Sequence, residues 1–261
     1  ICISANDVNA LQAKLEEAMD AGIKVSSFDS APNKDSRQVF VNQAGTQAVG
    51  QALMDAVLDI SGGEGQFAIL SATSQSANQN AWIDAMKSIM EGDDKYSKLE
   101  LVEVAYGDDE PQKSTDQTAA LLQNYPDLKV ICAPTTVGIA AAAKYLQDNE
   151  SACKLTGLGL PSEMQSFMPA SASDDAFGFP CPYMMLWDVI HLGAVSAAST
   201  LATLDGTFDG KVGSSFEMAE FREYAPETYK AYDNGDGGTA VLAGVPYVFY
   251  KDNMADWISK L

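Results

Sequence analysis

Imidazole is almost missing from this sequence, which carries a single histidine, His191, among 261 residues. A Ser-His-Asp relay therefore has one place to sit, and His191 falls in the apolar helical pattern WDVIHLG (187–193), where it reads as a helix-face residue. The GxSxG, HExxH and P-loop spacings are absent, as is a GxGxxG following a strand, so no motif speaks for an enzyme. Positive charge is scarce too: 16 basic side chains face 36 acidic ones, a net charge of −20. That balance excludes sequence-independent binding to nucleic acid or to anionic lipid, and it reads as a solvated acidic surface. No apolar run reaches the roughly 18 residues of a membrane span. The four cysteines, Cys2, Cys132, Cys153 and Cys181, lack metal-ligand spacing and read as buried free thiols, although a Cys132–Cys153 disulfide outside the cytoplasm is conceivable. DNGDGG (233–238) imitates the start of a calcium loop, but Val241 stands where the bidentate glutamate belongs, so it is a surface turn. Neither a metal nor a cofactor is called for.

What is present is a repeated alternation of short apolar runs with helical periodicity. Strand-like runs cover ICIS (1–4), IKVSSFDSAPN (23–33), VFVNQ (39–43), QFAILSA (66–72), LELVEVAYG (99–107), LKVICAP (128–134), KLTGLGL (154–160), AFGFPCPY (176–183) and VPYVFYKDN (245–253). Helical patterns lie between them at about 44–60, 78–91, 112–124, 137–149 and 162–168, with a long Ala/Ser-rich helix at 188–204 and a glycine- and acid-rich region over 205–240. Such a βαβ series predicts an α/β fold with mostly parallel, doubly wound sheets. In GDDEPQKS (107–114), between a strand and a helix, the acids read as helix-capping residues; Asp108 and Asp109 show no device for splitting their acidities.

Ligands of open parallel sheets sit beyond the carboxyl ends of the strands. The residues there are Asp29, then SATSQSANQN (71–80), then Pro134, Thr135 and Thr136, then Trp187 and Asp188. A carboxylate accepts hydroxyl hydrogens, amides donate and accept, and an aromatic face packs on the apolar side of a pyranose, so this mixture suits a sugar. Each residue alone also has a structural reading: Asn78 as a helix cap, Trp187 as packing in an interdomain seam.

The runs AMDAGIKVSSFDS, FVNQAGTQAVGQAL, ILSATSQSANQNAWIDAMK, YGDDEPQKS, LLQNYPDLKVICAPTTVGIAAAAK and VFYKDNM resemble, over nearly the whole chain, the type I periplasmic sugar-binding proteins of ABC importers. The rhamnose-binding and autoinducer-2-binding branch is the nearest likeness. The resemblance implies two doubly wound parallel-sheet lobes joined by a three-strand hinge, closing around one small ligand. Lobe one would take 1–42 and 188–244, and lobe two 43–187 and 250–261, with crossings near 42, 187 and 247. It makes Asp29 the first lobe's carboxylate, Asn78 and Gln79 an amide pair of the second, and Pro134 with Thr136 the lining after the CAP strand. Trp187 and Asp188 match a tryptophan-acid or tryptophan-amide pair near the second crossover. Autoinducer-2 binders carry an aspartate where this chain has Asn78 and an alanine where it has Thr136, which favours a deoxyhexose such as rhamnose.

The implied partners are a monosaccharide or related polyol and an ABC permease, with membrane contact only through a lipid anchor or that permease. The implied location is extracytoplasmic. Family members begin with a strand, helix, strand, helix unit ahead of ICIS, so the first lobe is expected to be N-terminally incomplete, with an open sheet edge. The reading from another class, the effector-binding core of a sugar-responsive transcription regulator, would need a basic helix-turn-helix upstream, and the acidic balance argues against it.

Overall fold

The computed structural model describes residues 1–261. Its first elements are β1 (Cys2–Ile3), α1 (Gln12–Asp20), β2 (Ser26–Phe28), β3 (Val39–Asn42), α2 (Thr46–Ile60), β4 (Gly65–Ser71) and α3 (Ala77–Gly92). The middle of the chain forms β5 (Leu99–Tyr106), α4 (Pro111–Asn124), β6 (Leu128–Ala133), α5 (Thr136–Asp148), β7 (Lys154–Gly157) and α6 (Pro161–Met164). Next come β8 (Met184–Leu186), α7 (Val189–Asp205), β9 (Ser215–Met218), β10 (Glu227–Lys230), β11 (Tyr232–Asp233), β12 (Thr239–Leu242), β13 (Tyr247–Phe249) and α8 (Met254–Trp257). No helix is long and apolar enough to cross a membrane.

The chain divides into two units: unit 1 is 1–45 with 187–245, and unit 2 is 46–186 with 246–261. Unit 1 holds a five-stranded sheet in the order β1-β2-β3-β12-β11, parallel except for β11. Helix α7 packs on β1, β2 and β3. Asp188 caps it, its Oδ1 accepting from the Ile190 and His191 N–H groups at 3.0 Å each, and Gly206 in the left-handed region (φ 75°) ends it. An antiparallel ribbon of β9 and β10 lies beside α7, and the Phe216 ring contacts those of both Phe208 and Tyr229.

Unit 2 is built on a parallel sheet ordered β5-β4-β6-β7. Phe67 to Ala72 are all buried, as a strand covered on both faces requires, and α2 with α3 and α4 with α5 form the two covering pairs. On α2 the buried residues Val49, Leu53, Ala56, Val57 and Ile60 recur at helical spacing and form the stripe that packs inward. Beyond β7 a bridge from Leu158 to Met185 leads to β8, which pairs antiparallel with β13.

Several expectations need correction. AFGFPCPY (176–183) is a 3-10 turn over Ala176–Gly178 followed by irregular chain, because Pro180 and Pro182 remove two ladder donors. The helix expected at 162–168 stops at Met164, and the strand expected over 245–253 covers only 247–249. The region 205–240 contains three strands, β9, β10 and β11, and the start of β12. Cys2 is exposed, whereas Cys132, Cys153 and Cys181 are buried; all four are free thiols.

Candidate functional site

In unit 1, β2 ends at Phe28 and Asp29 follows with φ 60°, a left-handed conformation that aspartate tolerates better than most side chains. Its backbone is held from the neighbouring strand by the Asp29 N–H donating to the Val41 carbonyl at 3.1 Å, and the turn is closed by Ser30 N–H on the Phe28 carbonyl at 2.6 Å. The half-buried carboxylate accepts from the Ser4 hydroxyl at 3.1 Å. Burial pushes the Asp29 carboxyl above its ordinary value, and the Ser4 hydrogen bond offsets part of that rise. Ser4 stands one residue past β1, so two adjacent strand ends meet in one polar pair.

Trp187 is buried and lies at the start of the return into unit 1. Asp188 beside it is committed locally. Besides capping α7, its Oδ2 accepts from the Tyr224 hydroxyl at 2.7 Å. His191, one turn on, stacks on Tyr224 with centroids 4.7 Å apart and shares a hydrogen bond of 2.9 Å with the Tyr229 hydroxyl. The lone histidine thus serves a tyrosine-lined seam between α7 and the β9–β10 ribbon.

Unit 2 presents its own strand ends. After β4 the loop tightens through a Thr73–Ser76 hydroxyl pair at 2.8 Å and Thr73 N–H on Ser76 Oγ at 3.2 Å, which sets the start of α3. Asn78 and Gln79 stand in the first turn of α3, and the Gln79 side-chain amide donates to the Pro134 carbonyl at 3.3 Å. Pro134 follows β6, Thr135 is the N-cap residue of α5, and Thr136 is the first residue of that helix. Asn78, Gln79, Pro134, Thr135 and Thr136 are therefore gathered at neighbouring carboxyl ends of β4 and β6.

The Thr135 hydroxyl does not cap α5; it donates to Asp109 Oδ1. Asp108 and Asp109 are consecutive left-handed residues, each at φ 54°, and Asp108 pairs with Lys113. The acids of GDDE do not cap α4 with their side chains, since its N-cap residue Glu110 makes no such bond. Sequence reasoning missed two partners here, Ser4 and Asp109. Position past a strand end was the available signal for Ser4, whereas the Asp109 bond joins loops 26 residues apart and has no sequence signal. Gly157 closes β7 at φ 148°, and a Cβ there would lie 1.9 Å from the Ala133 carbonyl oxygen, so only glycine lets the β6 and β7 ends approach. No group of three or more His, Cys, Asp or Glu side chains is placed to hold a metal ion.

A family model of the periplasmic binding protein domain matches residues 1–207. Among solved structures, the chain is 51% identical to an ABC transporter solute-binding protein from Clostridium phytofermentas with bound L-rhamnose, at a TM-score of 0.92 over 99% of this chain and 79% of that one. It is 39% identical to a sugar ABC transporter protein from Actinomyces odontolyticus, at a TM-score of 0.75 over 98% and 77% of the two chains. LsrB from Clostridium saccharobutylicum, in complex with AI-2, shares the fold at 20% identity and a TM-score of 0.83, over 98% of this chain and 81% of that one.

Proposed function

This chain belongs to the periplasmic binding protein family, and from that premise we propose that it captures a monosaccharide, favouring a rhamnose-like deoxyhexose, and delivers it to an ABC import permease outside the cytoplasm. The observation that carries this reading is Asp29. A carboxylate held in a left-handed conformation at a strand end, its pKa raised by burial and its oxygen hydrogen-bonded by Ser4, is an acceptor for hydroxyl groups. In unit 2, Asn78, Gln79 and the Pro134-Thr135-Thr136 turn supply neutral donors and acceptors suited to an uncharged polyol. The likeness to a rhamnose-bound protein at 51% identity supports the choice of sugar. Trp187 supplies the flat apolar surface for a pyranose face, and Asp188 holds the chain next to it through the α7 cap. A ligand with higher affinity for one conformation shifts the population toward it, and that ligand-bound conformation would be what the permease reads.

Isothermal calorimetry and thermal-shift measurements against L-rhamnose, other pentoses and hexoses, and AI-2 test this directly, because a ligand that binds only the folded chain raises its melting temperature. Binding of rhamnose or a near relative supports the proposal. Preference for AI-2 would move the chain to the furanose-binding reading, and chemical change of any sugar would point to an enzyme instead.

A further inference from the structure

Gln43 follows directly on β3, is 2% exposed, and its side-chain Oε1 has no hydrogen-bond partner. A buried acceptor left without a donor costs about 1–3 kcal/mol, and folded chains leave few such atoms. The other orphaned groups are Ser27, Ser36, Ser71 and Ser199 Oγ and Arg37 Nε. Ser27 lies within β2, Ser36 in a 3-10 turn and Ser199 in the body of α7, and a hydroxyl can rotate toward whatever is near. Gln43 differs in presenting an amide at the carboxyl end of a parallel strand, the end where ligands of such sheets sit. Its strand is the direct neighbour of the one that ends in Asp29: Phe28 pairs with Val41, and Asp29 N–H is held by Val41 O. Two residues beyond Val41, Gln43 lies one strand over from the carboxylate.

We propose that Gln43 is a further ligand-contacting residue of unit 1, its Oε1 accepting from a hydroxyl of the same sugar that Asp29 engages. The inference rests on the sugar-binding reading above. A carboxylate and an amide acceptor on adjacent strand ends suit two hydroxyls of one ligand. An amide in place of a second acid adds no like charge beside Asp29, which fits an uncharged polyol rather than a cation.

The test is Gln43→Met, which keeps the length of the side chain and removes its polar atoms. Because the change removes an orphan and opens no cavity, the melting temperature of the free protein should stay level or rise. The dissociation constant for L-rhamnose should weaken about tenfold or more. Across the monodeoxy analogues of rhamnose, wild type and variant should bind alike for the one analogue that lacks the hydroxyl Gln43 accepts. Independently of the variant, the Gln43 side-chain amide resonances of the wild type should shift on addition of rhamnose. Unchanged affinity in the variant, a uniform loss across all analogues together with a lower melting temperature, or unmoved amide resonances would each overturn the inference while leaving sugar binding intact. A wild-type chain that binds none of the sugars would overturn the sugar-binding reading and this inference with it.

Discussion

Replacing Asp29 with asparagine separates its charge from its shape. Asparagine accepts the φ of 60° as readily as aspartate does, so the backbone turn and the Val41 hydrogen bond should survive; alanine at that φ would add about 1–2 kcal/mol of strain and blur the result. Hydrogen bonds to a charged acceptor contribute about 1.5–3 kcal/mol each against about 1 for neutral ones. Asparagine keeps one acceptor oxygen, so the expected loss is about 2–4 kcal/mol of binding, or about 30- to 1000-fold in the dissociation constant. The free protein should melt no lower, since the buried ionised form is what burial penalises.

The sign with pH follows from the same shift. The folded Asp29 carboxyl titrates above its ordinary value of 3.8, so between the two values the folded state holds a proton that the unfolded chain has released. Its contribution to stability is full below 3.8 and is lost as pH rises through the folded value. Sugar affinity runs the other way, because hydroxyl donors favour the carboxylate: it should be flat near neutrality and fall as acid is added through the folded value. Calorimetry with L-rhamnose from neutral to mildly acid pH, on wild type and Asp29→Asn, reads both effects. An Asp29→Asn affinity within about threefold of wild type, or an acid limb that persists in the variant, would refute the assignment.

Gly157→Ala should cost about 3 kcal/mol or more and lower the melting temperature by roughly 10 °C, because the added methyl meets the Ala133 carbonyl oxygen; an unchanged melt would show that β6 and β7 part freely. A thiol reagent at neutral pH should titrate Cys2 alone in the native protein and all four thiols in denaturant. Burial lifts the Cys132 and Cys153 thiols to about 12 and raises Cys181 as well, and a second fast-reacting thiol would contradict this packing. Asn78→Asp should weaken rhamnose binding and raise affinity for AI-2; an unaltered ligand profile on calorimetry would mean that this position does not select.

Much of this architecture was legible because helix periodicity and strand runs are strong local signals. The long helices α2, α3, α4, α5 and α7 fall within two residues of their expected limits at each end, and the buried runs of β4 and β6 announce a doubly covered sheet. What failed was short or non-local. TAVL over β12 is brief and flanked by glycines, and what makes it a strand is pairing with β3 far upstream. FGFPCP is apolar enough for a strand, yet its prolines cannot join a ladder. At the candidate site, Asp29 could be placed from its position after a strand. Its support by Ser4, the Asp109–Thr135 link and the orphaned Gln43 depend on loops meeting in space, which one-dimensional pattern does not encode.

The pairing of β12 with β3 also sets an order of events during synthesis. When residues 46–186 have left the ribosome, the four parallel strands of unit 2 can all pair, but β3 has a vacant edge until residues 239–242 arrive, and β8 waits likewise for β13. A nascent chain arrested after α7 would therefore carry a protected 65–157 segment beside a protease-sensitive 1–45 segment. The closing contacts, made last and between distant parts of the chain, would govern how fast the whole molecule folds.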